Sequence, residues 1–205
     1  MALSAAKNVR PVSLVVHAGS GRELKEVFTF FKQGRIPLLQ ASTGGSIPRL
    51  PKPLRFAWID APNLSPPIVL LFRLLEKGQA RRLFRGFEIK VLESHQATKT
   101  TASGTALKIT RLLGADPSRI ESIRNPEIQR ERLGVPGAHL GGHAIHKVWI
   151  NGFGGQVTLG TQVYGRETYV QGIALLLTKI KRMGKKIGKK RGLPPGKYSI
   201  VDFFC

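Results

Sequence analysis

An α/β fold with a parallel sheet is the class this sequence predicts, and three observations carry it. Short apolar strands are separated by a helix or a crossover in the first third of the chain. An alternating segment in the middle runs into a serine-capped helix. Two further alternating runs between residues 141 and 164 flank a glycine-rich turn. Strands separated by crossovers favour parallel pairing, whose ligands sit at the strand carboxyl ends, whereas the last pair reads as an antiparallel hairpin.

Composition bounds the reading. The 205 residues suffice for one or two domains with a proper core, and 41% hydrophobic content is that of a globular protein. No apolar run reaches the roughly 18 to 20 residues that span a bilayer. The single cysteine is Cys205, and no basic, apolar and small-residue leader pattern is present, so neither disulfides nor export is expected. A cytoplasmic location follows, with an organelle address left open by a start that lacks acids until Glu23. The 33 basic and 12 acidic residues, a formal charge of +21, imply anionic partners. Nucleic acid is one such partner, a multi-phosphate cofactor another.

In chain order, Pro11-Val-Ser-Leu-Val-Val-His17 is a short apolar strand that turns through Gly19 and Gly21 into a helix carrying Leu24, Val27, Phe28 and Phe31. Strand, glycine turn and helix can cradle a phosphate, and Arg22 at the helix start suits an adenosine 2′-phosphate. A second strand, Ile36-Pro-Leu-Leu-Gln-Ala-Ser42, ends in Thr43 and Gly44. A third, Arg55-Phe-Ala-Trp-Ile-Asp60, ends in Ala61-Pro-Asn-Leu-Ser65. Residues 68–75, the longest greasy stretch, read as a buried helix. Phe87, Ile89 and Val91 alternate with Glu88 and Lys90 as a half-buried strand that delivers Glu93, His95 and Lys99 at its end.

Ser103 then stands where an N-cap belongs, before the apolar positions Ala106, Leu107, Ile109, Leu112 and Leu113, and Gly104 and Thr105 offer backbone N–H groups. A helix N-terminus of this kind binds a carboxylate, a lysine adds a point charge, and His95 or Lys99 can deliver a proton. The combination suits a small dicarboxylate. Residues 116–136 read as polar and irregular with some helix, and no chemistry is read there. His143 and His146 lie three apart in the hairpin whose turn holds Gly152, Gly154 and Gly155; in a strand they point to opposite faces, and no carboxylate or cysteine cluster completes a metal site. Residues 179–191 carry eight lysines and arginines and read as a solvated helix end that frays, or equally as a tether to nucleic acid or anionic lipid, without the interleaved aromatics of a base-stacking surface.

The stretch Glu93-Ser-His-Gln-Ala-Thr-Lys-Thr-Thr-Ala-Ser-Gly-Thr-Ala-Leu107 resembles the signature of dihydrodipicolinate reductases, roughly Glu-x-His-His-x-x-Lys-x-Asp-Ala-Pro-Ser-Gly-Thr-Ala. Gln96 replaces the second histidine, the aspartate is missing, and one residue is deleted before Ser103. Aligned from the lysine, His95 falls on the family's catalytic histidine; aligned from Ser-Gly-Thr, it falls on the neighbouring substrate-binding one. Ala41-Ser-Thr-Gly44 and Ala61-Pro-Asn-Leu-Ser65 resemble the Gly-Thr-Thr-Gly and Ala-Pro-Asn-Phe-Ser turns that border the nicotinamide. Gly142-His143 resembles the Gly-x-His of the family's central strand, Arg166-Glu-Thr-Tyr-Val-Gln-Gly172 the helix start near its end, and Lys197-Tyr-Ser-Ile-Val-Asp-Phe-Phe204 its closing strand.

The resemblance implies a reduced Rossmann-like parallel-sheet domain, residues 1–65 plus 166–205, lacking its first strands and the Gly-x-x-Gly-x-Met-Gly turn. An inserted α+β substrate and oligomerisation domain would occupy residues 66–165. It implies reduction of dihydrodipicolinate to tetrahydrodipicolinate in lysine and diaminopimelate biosynthesis by a homotetramer using NADPH or NADH. His95 and Lys99 would be catalytic, and Ser103, Gly104 and Thr105 would bind substrate. Gly19, Gly21, Arg22, Ser42, Thr43, Gly44, Ala61, Pro62 and Asn63 would bind the cofactor. Two rival expectations stand beside it: a non-catalytic family member serving as a scaffold or assembly subunit, and a basic nucleic-acid-binding protein.

Overall fold

A computed structural model describes residues 14–18, 21–31, 36–42, 50, 52–100, 103–186 and 193–204. The chain forms two compact units, residues 1–61 with 175–203 and residues 62–174 with 204–205.

The first unit is built on a parallel sheet. Strands β1 (Val15–His17), β2 (Leu38–Gln40), β3 (Ala57–Asp60) and β8 (Gly196–Ser199) lie in that order, and each neighbouring pair is parallel. Every residue of β2 is buried, as a strand covered on both faces requires. Helix α1 (Leu24–Phe31) sets Leu24, Val27 and Phe28 against Leu38, Phe56 and Trp58, with Phe28 meeting both rings at centroid distances of 6.1 Å. The fully buried Leu24, Leu38, Phe56 and Trp58 each contribute about 2 kcal/mol. The expected closing strand is shorter than its apolar pattern: β8 stops at Ser199 and the chain turns through a 3₁₀ helix, Ile200–Phe203. The cause is polar. Asp202 accepts the Ser199 N–H at 2.9 Å and Ser199 Oγ accepts that of Val201 at 3.3 Å, so local side-chain bonds replace the ladder.

The second unit carries a mixed sheet in the order β5, β4, β6, β7. Strand β4 (Glu88–His95) pairs in parallel with β5 (Ile120–Ile123) and antiparallel with β6 (His143–Gly152), which turns into β7 (Gly155–Tyr164). The hairpin turn is Phe153-Gly154 with φ of 52° and 78°, the doubly positive geometry whose twist matches the flanking strands. Helix α2 (Pro66–Ala80) packs on α3 (Gly104–Leu113), where Lys108 lies 4.6 Å over the Phe72 ring and 3.3 Å from the Glu76 carboxylate.

Two expectations change here. The stretch 68–75 is helical but not buried throughout: Ile68, Val69, Leu71, Phe72 and Leu75 face inward, while Leu70 and Leu74 are 57% and 55% exposed. A 3.6-residue period turns them outward even though the run itself is continuous. Residues 116–136 are ordered rather than irregular. They hold a 3₁₀ turn (Pro117–Arg119), β5, and helix α4 (Pro126–Leu133), capped by Asn125 at one end and Gly134 with φ 69° at the other. Strand β5 exposes Glu121 and Ser122 and buries Ile123, so its polarity is that of a sheet edge.

Helix α5 (Glu167–Lys186) follows the hairpin, and the boundary between the units falls within it. A Cβ on Gly172 would come within 1.8 Å of the Leu64 carbonyl oxygen, so only glycine lets α5 approach the 62–65 turn this closely. In the basic stretch Lys181 and Arg182 are exposed and Lys179 is half-buried; residues 187–192 lie outside the described residues. Among the described residues no helix is long and apolar enough to cross a membrane.

Candidate active site

Glu93 is the residue around which the second unit's polar groups gather. It sits inside β4 with no exposed surface, a position a carboxylate tolerates only when paired and hydrogen-bonded. Oε1 accepts from Ser122 Oγ at 2.7 Å and from Arg124 Nη2 at 2.5 Å; Oε2 accepts from Arg124 Nη1 at 3.1 Å and from His95 Nδ1 at 2.5 Å. Burial alone would push this carboxyl up. The bonds from His95, Arg124 and Ser122 outweigh it and bring the pKa down to about 2, so Glu93 is ionised at neutral pH.

A carboxylate only accepts, so His95 donates its Nδ1–H to Glu93 and leaves Nε2 as the atom that can exchange a proton. The His95 ring stands edge-on to His146 at a centroid distance of 5.5 Å, and its carbonyl accepts from Gln129 Nε2 at 2.7 Å. His146 pairs directly with Glu93 across the β4/β6 ladder and is fully buried. Burial, with the nearby charge of His95 as a second cause, drives its pKa down to about 3, so the ring is neutral. It bonds to Ser103 Oγ at 3.2 Å and to Thr161 Oγ1 at 3.3 Å.

Ser103 caps α3 as expected, accepting the Ala106 N–H at 2.9 Å. The first N–H groups of α3, at Gly104 and Thr105, have no acceptor within the helix and remain available to an anion. The Thr105 hydroxyl accepts from Asn63 Nδ2 at 3.0 Å, while Asn63 Oδ1 accepts the Ser65 N–H at 2.8 Å. Thus Asn63 ties its turn to the start of α3. Lys99 lies in the turn after β4, its N–H donating to Gln96 O at 3.0 Å and its carbonyl accepting from Arg124 Nε at 2.7 Å. Its ammonium has no ion pair among the described residues.

Of the expected site residues, His95, Ser103, Thr105 and Asn63 are drawn together by this network, with Gly104 beside them and Lys99 anchored by its backbone. Gly21, Arg22, Ser42 and Ala61 belong to the first unit, whereas Pro62 and Asn63 belong to the second. Gly21, with φ 89°, leads into α1, and its carbonyl accepts the Leu24 N–H at 3.2 Å. Ser42 follows β2, where Gln40 Nε2 donates to its carbonyl at 3.1 Å and to its hydroxyl at 2.5 Å, and Gln40 Oε1 accepts from His17 Nδ1 at 2.7 Å. Ala61 extends the ladder by donating to Gln40 O at 2.8 Å. Gly19, Thr43 and Gly44 lie outside the described residues.

Three participants escaped the sequence reading. The stretch 116–136, expected to hold no chemistry, supplies two of them: Ser122 on β5 and Arg124 just past it both reach Glu93. His146 was weighed only as a metal ligand. The two histidines do point to opposite faces, His146 toward Glu93 and His143 toward Ser94, whose hydroxyl it meets at 2.9 Å while its Nδ1–H donates to the His139 carbonyl at 3.1 Å. Among the described residues no group of three or more His, Cys, Asp or Glu is placed to hold a metal. One signal was available: an acid on the inward face of a strand demands a buried cation, and Arg124 follows the next apolar pair of isoleucines.

Comparison with known proteins places the chain. The family profile described as dihydrodipicolinate reductase, C-terminus, matches residues 67–193. The 4-hydroxy-tetrahydrodipicolinate reductase 2, chloroplastic, of Arabidopsis thaliana is 33% identical over 167 residues, which are 74% of this chain and 48% of the relative. The 4-hydroxy-tetrahydrodipicolinate reductase of Moorella thermoacetica is 29% identical over 215 residues, covering 96% of this chain and 75% of the relative. The chain spans about half the length of the chloroplastic relatives it matches. Among solved structures, dipicolinate-bound dihydrodipicolinate reductase from Paenisporosarcina sp. TG-14 superposes with a TM-score of 0.56 at 16% identity, covering 97% of this chain and 76% of that one, a likeness of fold.

Proposed function

The chain belongs to the dihydrodipicolinate reductase family, and on that premise we propose that it reduces 4-hydroxy-tetrahydrodipicolinate (dihydrodipicolinate) to tetrahydrodipicolinate, a step of lysine and diaminopimelate biosynthesis. The observation that carries the reading is the continuity from anion site to proton donor: Ser103 at the start of α3 meets His146, His146 meets His95, and His95 is held by Glu93.

In this reading the N–H groups of Gly104 and Thr105 take one carboxylate of the substrate, aided by the positive end of α3. Lys99, unpaired within the described residues, adds charge for the dicarboxylate. A reduced nicotinamide, when bound, would supply the hydride equivalent for a ring carbon of the substrate. His95, through Nε2, or Lys99 then delivers a proton to the neighbouring carbon, and a donor so placed contributes about 100- to 10,000-fold in rate. His146, kept neutral, does not compete for that role; it holds the Ser103 hydroxyl and so the geometry of the cap.

The first unit fits a dinucleotide. Its strands are all parallel, Gly21 takes a positive φ where β1 leads into α1, and Ser42 and Ala61 lie at the carboxyl ends of β2 and β3, where ligands of parallel sheets bind. Gly21 and Arg22 would hold phosphate, with Arg22 favouring the 2′-phosphorylated cofactor; Gly19, Ser42, Thr43, Gly44 and Ala61 would complete the contact within this unit. A homotetramer built through the second unit is part of the same proposal.

The test is oxidation of NADPH and NADH, followed at the reduced nicotinamide absorbance band, with freshly made substrate. Turnover abolished in His95→Ala or Lys99→Ala supports the reading. Calorimetric binding of pyridine-2,6-dicarboxylate without cofactor binding or turnover would instead leave a family member with a scaffold role. Tight duplex-DNA binding that survives physiological salt would favour the basic run, residues 179–191, as the functional element.

A further inference from the structure

We infer that Arg124 is a positioning residue that sets both proton-bearing side chains of the site, holding His95 through Glu93 and Lys99 through its main-chain carbonyl. Its guanidinium is fully engaged in this task. Nη1 and Nη2 fork onto the Glu93 carboxylate at 3.1 and 2.5 Å, Nε donates to the Lys99 carbonyl at 2.7 Å, and Nη1 also donates to the Ile123 carbonyl at 3.0 Å. Glu93 passes the constraint on, because the carboxylate gripped by the arginine is the one that accepts the His95 Nδ1–H.

Sequence distance explains why such a device is needed. After β4 ends at His95 the chain turns between Gln96 and Lys99, and among the described residues no regular element holds Lys99. Arg124 sits just past β5, the strand paired in parallel with β4, and reaches back 25 residues to Lys99 and 31 to Glu93. Gln129, from α4, adds a second tie by donating to the carbonyls of His95 at 2.7 Å and Ile123 at 3.2 Å. The segment 122–129 thus braces the end of β4. A planar fork of five donors can hold a carboxylate and a carbonyl at once; a lysine at the same place carries the charge but not the geometry.

The activity part of this inference rests on the reductase reading, and the test keeps the two apart. Arg124→Lys should lower kcat about 100-fold, the size expected when reacting groups are displaced by about an ångström, and raise KM for substrate about tenfold. It should also weaken pyridine-2,6-dicarboxylate binding about tenfold, since Lys99 loses its anchor. Glu93→Gln retains the anchor on Lys99, so it should lower kcat while changing dicarboxylate binding far less. Nitrogen-15 NMR of the His95 ring reads the positioning itself: the neutral ring should carry its proton on Nδ1 in the wild type and lose that preference in both variants. Arg132→Lys, in the exposed pair with Glu121, serves as the control and should leave every readout unchanged.

A folded Arg124→Lys protein with wild-type kcat, dicarboxylate affinity and ring signals would overturn the inference. If that variant does not fold, Glu93→Gln decides: an unaltered Nδ1–H preference and unaltered turnover overturn it equally. Should the wild type oxidise no reduced nicotinamide, the reductase reading falls, while the ring spectra and the dicarboxylate affinities still decide whether Arg124 and Glu93 hold His95 and Lys99.

Discussion

Both sheets deliver polar side chains near the carboxyl end of a central strand, but they secure them differently. In the first unit Gln40, on β2, bridges His17 on the neighbouring strand and Ser42 two residues on, through an amide that carries no charge. In the second unit Glu93, on β4, is a buried carboxylate satisfied by an arginine, a histidine and a serine from two strands and the segment beyond β5. The amide network joins two neighbouring strands and the residue Ser42 beyond β2. The ionic one couples segments about 30 residues apart and holds the His95 ring by its Nδ1–H. A charged cluster costs desolvation that a neutral one does not, so it stands only where, as here, both carboxylate oxygens are satisfied.

Breaking each network should separate them by size of effect. Glu93→Ala leaves Arg124 with no carboxylate in a largely buried place, and a loss of about 3 to 5 kcal/mol in urea unfolding of the full chain is expected. A loss under about 1 kcal/mol would mean that water replaces the carboxylate freely and that the cluster is no brace.

Acid should act on the second unit next. Both groups have folded-state pKa values depressed below their unfolded ones, so both contribute stability that is present above the unfolded value and lost as pH falls. For His146 the window runs from 6.5 down to about 3, and for Glu93 from 4.5 down to about 2. Stability measured across pH 7 to 2 should therefore decline in two overlapping stages, each amounting to a few kcal/mol. Glu93→Gln should remove the lower stage and keep the upper; a profile identical to wild type would contradict the assigned ionisation.

Smaller effects sharpen the contrast. Gln40→Ala removes neutral hydrogen bonds and should cost about 1 to 3 kcal/mol, because His17 and Ser42 lose a partner but no buried charge is stranded. Thermal unfolding that places it level with Glu93→Ala would erase the distinction between the two sheets. Ser103→Ala should cost about 1 kcal/mol as a lost cap, while also weakening dicarboxylate binding by disturbing the start of α3; calorimetry that finds unchanged affinity would divorce the cap from the anion site.

Legibility followed the range of the interaction. The β4 alternation, the Ser103 cap and the glycine hairpin turn could be read because each depends on residues within a few positions of one another. The edge strand β5 was not read, since Ile120-Glu-Ser-Ile123 exposes half its side chains and has no pattern until it lies beside β4. The outward-facing Leu70 and Leu74 were hidden for a related reason, because a continuous apolar run does not disclose which of its residues a neighbour will cover.

From sequence alone came the class of the fold, the family signature between Glu93 and Thr105, and the candidates His95, Lys99 and Ser103, all written in short-range order. Only the tertiary structure decided that Glu93 is ionised and buried, that His146 rather than His143 turns toward it, and that Arg124 closes the cluster. The physical reason is register. A pairing between strands fixes which residues share a face, and a one-residue slip of β6 against β4 would exchange the two faces on which these histidines lie.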